Sequence, residues 1–161
     1  MLRKRRHLGV TIASLLIAPP ALSQTADQFK RVAQSEFLKT SWRTNRDLAY
    51  RATVPGSPKR QRDVEISVRG LKEYSLVDPK SGEQVNAASV SASIPKNEAI
   101  VVRKIELMPA GVAFELEAQK HKIRMLFAPE TYSGYDLEKF KENILCRWLL
   151  IAKYEPGRAL D

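Results

Sequence analysis

The feature that most constrains the fold is a series of short alternating segments between Asp63 and Ala128. The strongest strand candidate, residues 99–107 (AIVVRKIEL), is rich in apolar and β-branched residues. Proline and glycine separate such segments at 78–82 (DPKSG) and 108–111 (MPAG), where they favour tight turns. The pattern predicts neighbouring strands joined as antiparallel hairpins.

Two helices are predicted, one on each side of this β-rich region. Thr25 and Gln28 have the spacing of a capping box, and the apolar residues after them predict a helix over 26–38. Ser133 and Asp136 form a similar pair before a second helix. Its apolar stripe at helical spacing contains Leu137, Phe140, Ile144, Leu145, Trp148 and Leu149, and a Pro-Gly pair at 156–157 ends it. Because an amphipathic helix is unstable alone in water, this one should cover a face of the sheet.

The predicted fold class is therefore α+β. We expect a small antiparallel β-sheet or a partly closed barrel of about six strands, with an N-terminal helix and a C-terminal amphipathic helix packed on it. The run VPGSPKRQR at 54–62 has the composition of a turn or linker. The chain is then divided into a signal peptide (1–23), a basic N-terminal helix and linker (24–62), and a β-rich domain with the C-terminal helix (63–161).

The first 23 residues have the layout of a secretory signal peptide. Four basic residues at positions 3–6 precede an apolar stretch over 8–18, and small residues follow at Ala21 and Ser23. The apolar stretch is shorter than the roughly 20 residues that cross a bilayer. We expect cleavage near Ser23 and export to the periplasm or medium, by the Sec or the twin-arginine route, with no transmembrane helix left in the mature chain. The alternative is a retained N-terminal helix with a basic lead-in.

The positive charge of the chain is unevenly distributed. The whole chain has a formal charge of +9. Residues 24–62 contain nine Lys or Arg and three acids, whereas residues 63–161 contain fourteen bases and fifteen acids. Residues 63–161 thus form a nearly neutral domain, and residues 24–62 form a basic segment before it, called the basic front below. With a single cysteine, Cys146, the exported protein has no internal disulfide. Its stability must therefore come from the packing of its core and not from a covalent cross-link.

This basic front is the most distinctive candidate site. Cations beside an aromatic ring suit a polyanion, with charges for phosphate and a ring for stacking. The contact residues predicted for an anionic partner are Trp42, Arg43, Arg46, Lys59, Arg60 and Arg62. A solvated surface explains the same charges. Export would favour an anionic envelope component or an acidic protein over nucleic acid as the partner.

The sequence offers few candidates for catalysis. His121, the one histidine after the predicted cleavage site, lies between two lysines and has no Cys/His/Asp cluster for a metal. Neither a G-x-S-x-G elbow nor a glycine-rich phosphate loop is present. Glu106, Glu115 and Glu117 could share a strand face and serve as the acid and base of a small hydrolase, although alternating acids more often form the wet face of a sheet.

We therefore expect an exported bacterial protein that binds or scaffolds in the cell envelope, without a catalytic site, a cofactor or a metal. The alternatives are the small hydrolase with a carboxylate face and, if the first residues are retained, a nucleic-acid-binding protein. The sequence does not determine the ligand or the oligomeric state.

Overall fold

The computed structural model describes residues 25–134 and 136–151, so the predicted signal peptide lies outside the described residues. Two α-helices and ten strands are present in this part of the chain. The elements are α1 (Ala26–Phe37), β1 (Ser41–Thr44), β2 (Leu48–Val54), β3 (Ser57–Asp63), β4 (Glu65–Val68), β5 (Tyr74–Val77), β6 (Val90–Ile94), β7 (Ala99–Met108), β8 (Gly111–Ala118), β9 (His121–Phe127), α2 (Leu137–Asn143) and β10 (Leu149–Ile151). Short 3-10 turns occur at Ala87–Ser89, Pro129–Thr131 and Leu145–Arg147.

The α+β class is confirmed, but the strands are more numerous than predicted. Seven strands form one curled sheet, half of a barrel, in the order β10-β1-β7-β8-β9-β4-β5, and three form a second sheet in the order β3-β2-β6. The prediction of about six strands was too low. β1 (SWRT) and β3 (SPKRQRD) have no apolar alternation, so pairing with neighbours, not local preference, makes them strands. β4 pairs with β9 in parallel, so the large sheet is mixed.

The N-terminal helix and the long hairpin follow the sequence closely. Thr25 and Gln28 form both hydrogen bonds of the capping box, and α1 ends one residue earlier than predicted. β7 and β8 pair from Val101–Glu117 to Met108–Gly111, on the two sides of the predicted turn. Gly111 has φ +146°, and a Cβ there would lie 2.1 Å from the Phe127 carbonyl oxygen. Glycine is therefore required at the start of β8, where its backbone lies close to the end of β9.

The C-terminal helix is much shorter than predicted. α2 ends at Asn143, and a 3-10 turn then leads into β10, which pairs with β1. Asp136, not Ser133, caps α2: its carboxylate accepts a hydrogen bond from Lys139 N at 2.8 Å. Four residues of the predicted stripe lie beyond the end of α2 and are nevertheless buried: Ile144, Leu145, Trp148 and Leu149. The apolar pattern marked buried residues correctly, but the last of them pair with the edge of β1 as β10 and do not continue the helix.

Two further segments differ from their predictions. Residues 54–62, predicted as a turn or linker, form a β-hairpin, because β3 pairs with β2 from Arg51–Asp63 to Val54–Ser57. Gly56, at φ +72°, supplies the turn conformation that other residues adopt at a cost. The strand predicted over 85–94 begins only at Val90, after a 3-10 turn.

One apolar core lies on the inner face of the curled sheet. From α1, Phe29 stacks on Tyr132 with ring centroids 4.4 Å apart. Phe140 of α2 meets Phe29 and Phe127 edge-on at 4.7 and 5.2 Å. These geometries are the favoured ones for aromatic pairs, and each fully buried phenylalanine contributes about 2–3 kcal/mol. α1 and the short α2 therefore both contribute side chains to this core, although α2 is only the first part of the helix that was predicted.

The outer strands of the curled sheet approach each other at one point. Tyr74, the first residue of β5, packs edge-on against Trp148, which directly precedes β10, with ring centroids 5.0 Å apart. The Arg46 guanidinium lies over both rings, 4.7 Å from Tyr74 and 4.5 Å from Trp148. This contact joins the two ends of the sheet.

No helix in the described residues is long and apolar enough to cross a membrane.

Candidate functional site

The β2–β3 hairpin carries the most concentrated exposed charge of the predicted site. Lys59 and Arg60 lie in the middle of β3, an outer strand of the three-stranded sheet, and both are exposed. Within residues 25–134 and 136–151, neither side chain lies within ion-pair distance of a carboxylate. Their charges are thus available to a partner. They also protect an outer strand from pairing with another chain, which is a common use of charge at such positions.

Arg62, two residues further on, has a different environment. Only 16% of its side chain is exposed, and its Nη1 lies 3.7 Å from Asp78 Oδ2 and 3.8 Å from Glu83 Oε2. The Asp78 carboxylate also accepts hydrogen bonds from the backbone of Lys80 and Ser81. These backbone hydrogen bonds, with a smaller contribution from Arg62, hold the pKa of Asp78 below its usual range. Arg62 therefore fastens the hairpin to the 78–82 turn.

A shallow depression of about 260 Å³ lies where the hairpin meets this turn. Its cations are Arg51, Arg62 and Lys80, and its acids are Asp63 and Asp78. Arg51 Nε and Asp63 Oδ1 are 4.0 Å apart and both side chains are mostly exposed, so solvent screens this pair. Both arginines are ion-paired, so among the described residues Lys80 is the lining cation without a carboxylate within ion-pair distance. Lys80 is a residue that sequence reasoning missed, since the turn pattern at 78–82 gave no sign that it would face the hairpin.

The other predicted contact residues lie elsewhere. Trp42 is 5% exposed, packs edge-on against Phe37, and donates its indole N–H to Thr40 Oγ1 at 2.6 Å. Its ring therefore offers no stacking surface, in contrast to the sequence-based expectation. Arg43 is exposed on β1 of the large sheet and donates to the Asn97 carbonyl at 2.9 Å.

Arg46 also has a structural role. Besides its contacts with two aromatic rings, its Nη2 lies 3.1 Å from Tyr74 Oη as a hydrogen-bond donor. Of the six predicted residues, the structure thus brings Lys59, Arg60 and Arg62 together on one strand and places the other three on or beside the large sheet. The aromatic part of the predicted polyanion site is not assembled.

The glutamates considered for catalysis lie on the outer face of the large sheet and are all ion-paired. Glu106 lies 2.6 Å from Lys104, Glu115 lies 3.1 Å from Lys122, and Glu117 lies 3.1 Å from Arg103. The hydrogen bond from Lys104 lowers the pKa of Glu106. A general acid at neutral pH needs a raised pKa, so this glutamate is poorly suited to that role. The arrangement is that of a solvated face with matched charges.

A groove of about 520 Å³ on the same outer face contains a carboxylate that sequence reasoning missed. Glu65 is 8% exposed, and its Oε2 lies 2.8 Å from Arg124 Nε without the alignment of a hydrogen bond. Burial raises the pKa of Glu65 more than the Arg124 charge lowers it. Arg124 also donates to Met108 Sδ at 3.1 Å. The alternating VEISV segment placed Glu65 on the polar face but did not indicate that Arg124 would lie against it or that it would be buried.

The described residues hold no cluster of three or more His, Cys, Asp or Glu side chains that could bind a metal ion. His121 is exposed and stacks on Tyr50, with ring centroids 4.7 Å apart. Cys146 is half-buried and its thiol donates to the Glu142 carbonyl at 2.6 Å.

No protein-family model, curated protein or solved structure is significantly similar to this chain.

Proposed function

We propose that this chain is an exported bacterial protein whose folded domain is a non-catalytic binding or scaffold module of the cell envelope, with the β2–β3 hairpin as its contact surface for an anionic partner. The observation that carries the proposal is the contrast in charge pairing. Lys59 and Arg60 are exposed and without a carboxylate among the described residues, whereas Glu106, Glu115 and Glu117 are ion-paired.

The location in the envelope is proposed from residues 1–23 alone. The intact mass of the native protein in separated cell fractions tests it. We expect a mass that matches residues 24–161, in the periplasm or in the medium. A full-length mass in the cytoplasm would overturn export, and a nucleic-acid partner would then fit the retained positive charge better.

The contact surface is tested by binding to vesicles with anionic headgroups, with neutral vesicles as the reference. Each lysine or arginine near such a surface contributes about 1 kcal/mol, so reversal of two charges in the double variant Lys59→Glu/Arg60→Glu should weaken binding at least about tenfold. The native protein should also lose affinity as salt is raised, because the charges are exposed.

The matched control is Lys72→Glu/Lys96→Glu. These two lysines are also exposed and also lack a carboxylate within ion-pair distance in the described residues, but they lie outside the hairpin. Both double variants change the net charge equally. Equal losses in the two would show that total charge, not the hairpin, determines binding, and unchanged affinity in the hairpin variant would refute the proposed contact surface.

A further inference from the structure

The groove of about 520 Å³ on the outer face of the large sheet combines apolar sides with a few polar side chains. Glu65 and Ser67 of β4 lie at its base, on one face of the strand, because they are two positions apart. Residues of the 78–82 turn and of the 108–110 turn also line it. Its volume is within the range of ligand pockets, about 300–1,000 Å³. We call it the β4 groove.

The two polar side chains at the base of the β4 groove are almost completely buried. Glu65 is 8% exposed and Ser67 is 6% exposed. Within residues 25–134 and 136–151, neither the Glu65 carboxylate nor the Ser67 hydroxyl makes a hydrogen bond, and Glu65 has only its misaligned contact with Arg124 Nε. Buried polar groups are normally hydrogen-bonded, and leaving them unpaired costs free energy. A ligand that brings a donor to Glu65 would remove this cost.

The charges around the β4 groove nearly cancel. Glu65 lies 2.8 Å from Arg124, and Asp78 lies 3.7 Å from Arg62 of the hairpin. The other charged residues of the lining are one base and one acid, Arg69 and Glu130. A strongly anionic or cationic ligand would therefore gain little here, in contrast to the exposed cations of the β2–β3 hairpin. The groove suits a neutral ligand.

The sides of the β4 groove suit apolar groups on that ligand. They are formed in part by Val77, Met108, Pro109, Leu126 and Pro129. Ligand pockets commonly combine such apolar surfaces with a few polar groups that fix the orientation of the ligand.

The spacing of the two polar side chains matches an extended peptide. Glu65 and Ser67 are separated by about 6.6 Å along β4, since a strand rises about 3.3 Å per residue. An extended peptide directs the backbone N–H and C=O groups of every second residue to the same side, at the same interval. A carboxylate accepts from an N–H group, and a hydroxyl bonds equally to an N–H or a C=O group.

We propose that the β4 groove binds a short, neutral peptide in an extended conformation. One backbone N–H of the peptide donates to Glu65, a backbone group two residues along bonds to the Ser67 hydroxyl, and apolar side chains of the peptide pack on the apolar sides of the groove. The N–H donor stabilises the charged form of Glu65, whose pKa burial raises. This site is separate from the β2–β3 hairpin and takes a different class of ligand.

The test is an NMR titration of the purified, ¹⁵N-labelled protein with a set of blocked peptides, acetyl-Ala-X-Ala-X-Ala-amide, in which X is Val, Ile, Leu, Met or Phe. We expect a Kd below about 1 mM for at least one peptide, with the largest shifts at the amides of β4 and β9. Ester analogues of that peptide, in which oxygen replaces the backbone N–H groups, should bind at least about tenfold more weakly, because the donor to Glu65 is lost.

The variant Ser67→Ala tests the geometry with little risk to the fold. The Ser67 hydroxyl has no partner among the described residues, so its removal should not lower the free energy of unfolding, whereas peptide binding should weaken about three- to tenfold. Ser93→Ala is the matched control, since Ser93 is a strand serine outside the groove, and its peptide affinity should equal that of the native protein. The hairpin variant Lys59→Glu/Arg60→Glu should also keep its peptide affinity, which separates this proposal from the anionic contact surface.

Several results would overturn the proposal. They are a Kd above about 1 mM for every peptide of the set, equal affinity for the peptide and its ester analogue, and unchanged affinity in Ser67→Ala. Diacetylchitobiose, a neutral sugar with amide groups, provides the last comparison. If it binds more tightly than every peptide, the groove is a sugar site and the peptide proposal is wrong.

Discussion

The two edges of the three-stranded sheet have opposite chemistry. β3 is polar and basic along its length, and no residue in it is fully buried. β6 is uncharged and ends in Ile94, which lies in the core opposite Leu48 of β2. β3 is held by a turn and by the ion pairs of Arg62, while Lys59 and Arg60 are exposed to solvent. β6 is held by the burial of Ile94. The comparison shows that two strands paired to the same neighbour can be held in place by different interactions, charge pairing at one edge and apolar burial at the other.

The largest expected effect is on the buried anchor of β6. Ile94→Ala removes a side chain that is 1% exposed and should lower the free energy of unfolding by about 2–5 kcal/mol, as other core truncations do. Urea unfolding measures this change. Lys59→Ala on β3 is the control, with an expected change within about 0.5 kcal/mol. Similar losses at the two positions would contradict the contrast between the edges.

A smaller, pH-dependent effect is expected at the attachment of β3. Asp78→Asn keeps a side-chain acceptor for the Lys80 N–H but removes the charge that faces Arg62, at a cost of about 1 kcal/mol at neutral pH. Since the folded pKa of Asp78 is lowered, its contribution is complete above the pKa of the unfolded carboxyl, about 3.9, and is lost as the pH falls through the lower folded value.

Urea unfolding at a series of pH values measures this dependence. The stability of the native protein and of Asp78→Asn should converge as the solution becomes more acid. Glu65→Gln is the control, because burial raises the pKa of Glu65 and the sign reverses. The contribution of Glu65 is complete below the ordinary pKa of glutamate, and the native protein should lose stability relative to Glu65→Gln as the pH rises from there through the raised folded value. A constant gap between native protein and Asp78→Asn would show that the Asp78 charge does not stabilise the attachment.

Local signals predicted the parts of the fold that depend on neighbouring residues. The capping box at Thr25, the 78–82 turn and the hairpin around Gly111 each involve a few adjacent positions, and the structure has all three. β3 and β10 were missed for the opposite reason. Lysine, arginine and glutamine have little preference for strands, and the residues of β10 fit an apolar helical stripe equally well.

The candidate site was also predicted only in part. The sequence indicated a basic stretch correctly, but it did not indicate that Trp42 would be buried, that Arg46 would lie over the rings of Tyr74 and Trp148, or that Arg62 would be ion-paired. Each of these outcomes depends on a residue far away in the chain. Charge is a property of composition, whereas the availability of a charge depends on what packs beside it.

By itself, the sequence determined the α+β class, the first helix, the central hairpin and most of the apolar core, because side-chain period and turn chemistry are local. Only the tertiary structure decided that residues 57–63 form a strand, that the last apolar residues leave the helix for an open edge, and that β6 pairs with β2 on the side opposite β3. The physical reason is that a strand is stabilised by hydrogen bonds to another strand, and its partner is chosen by the fold as a whole.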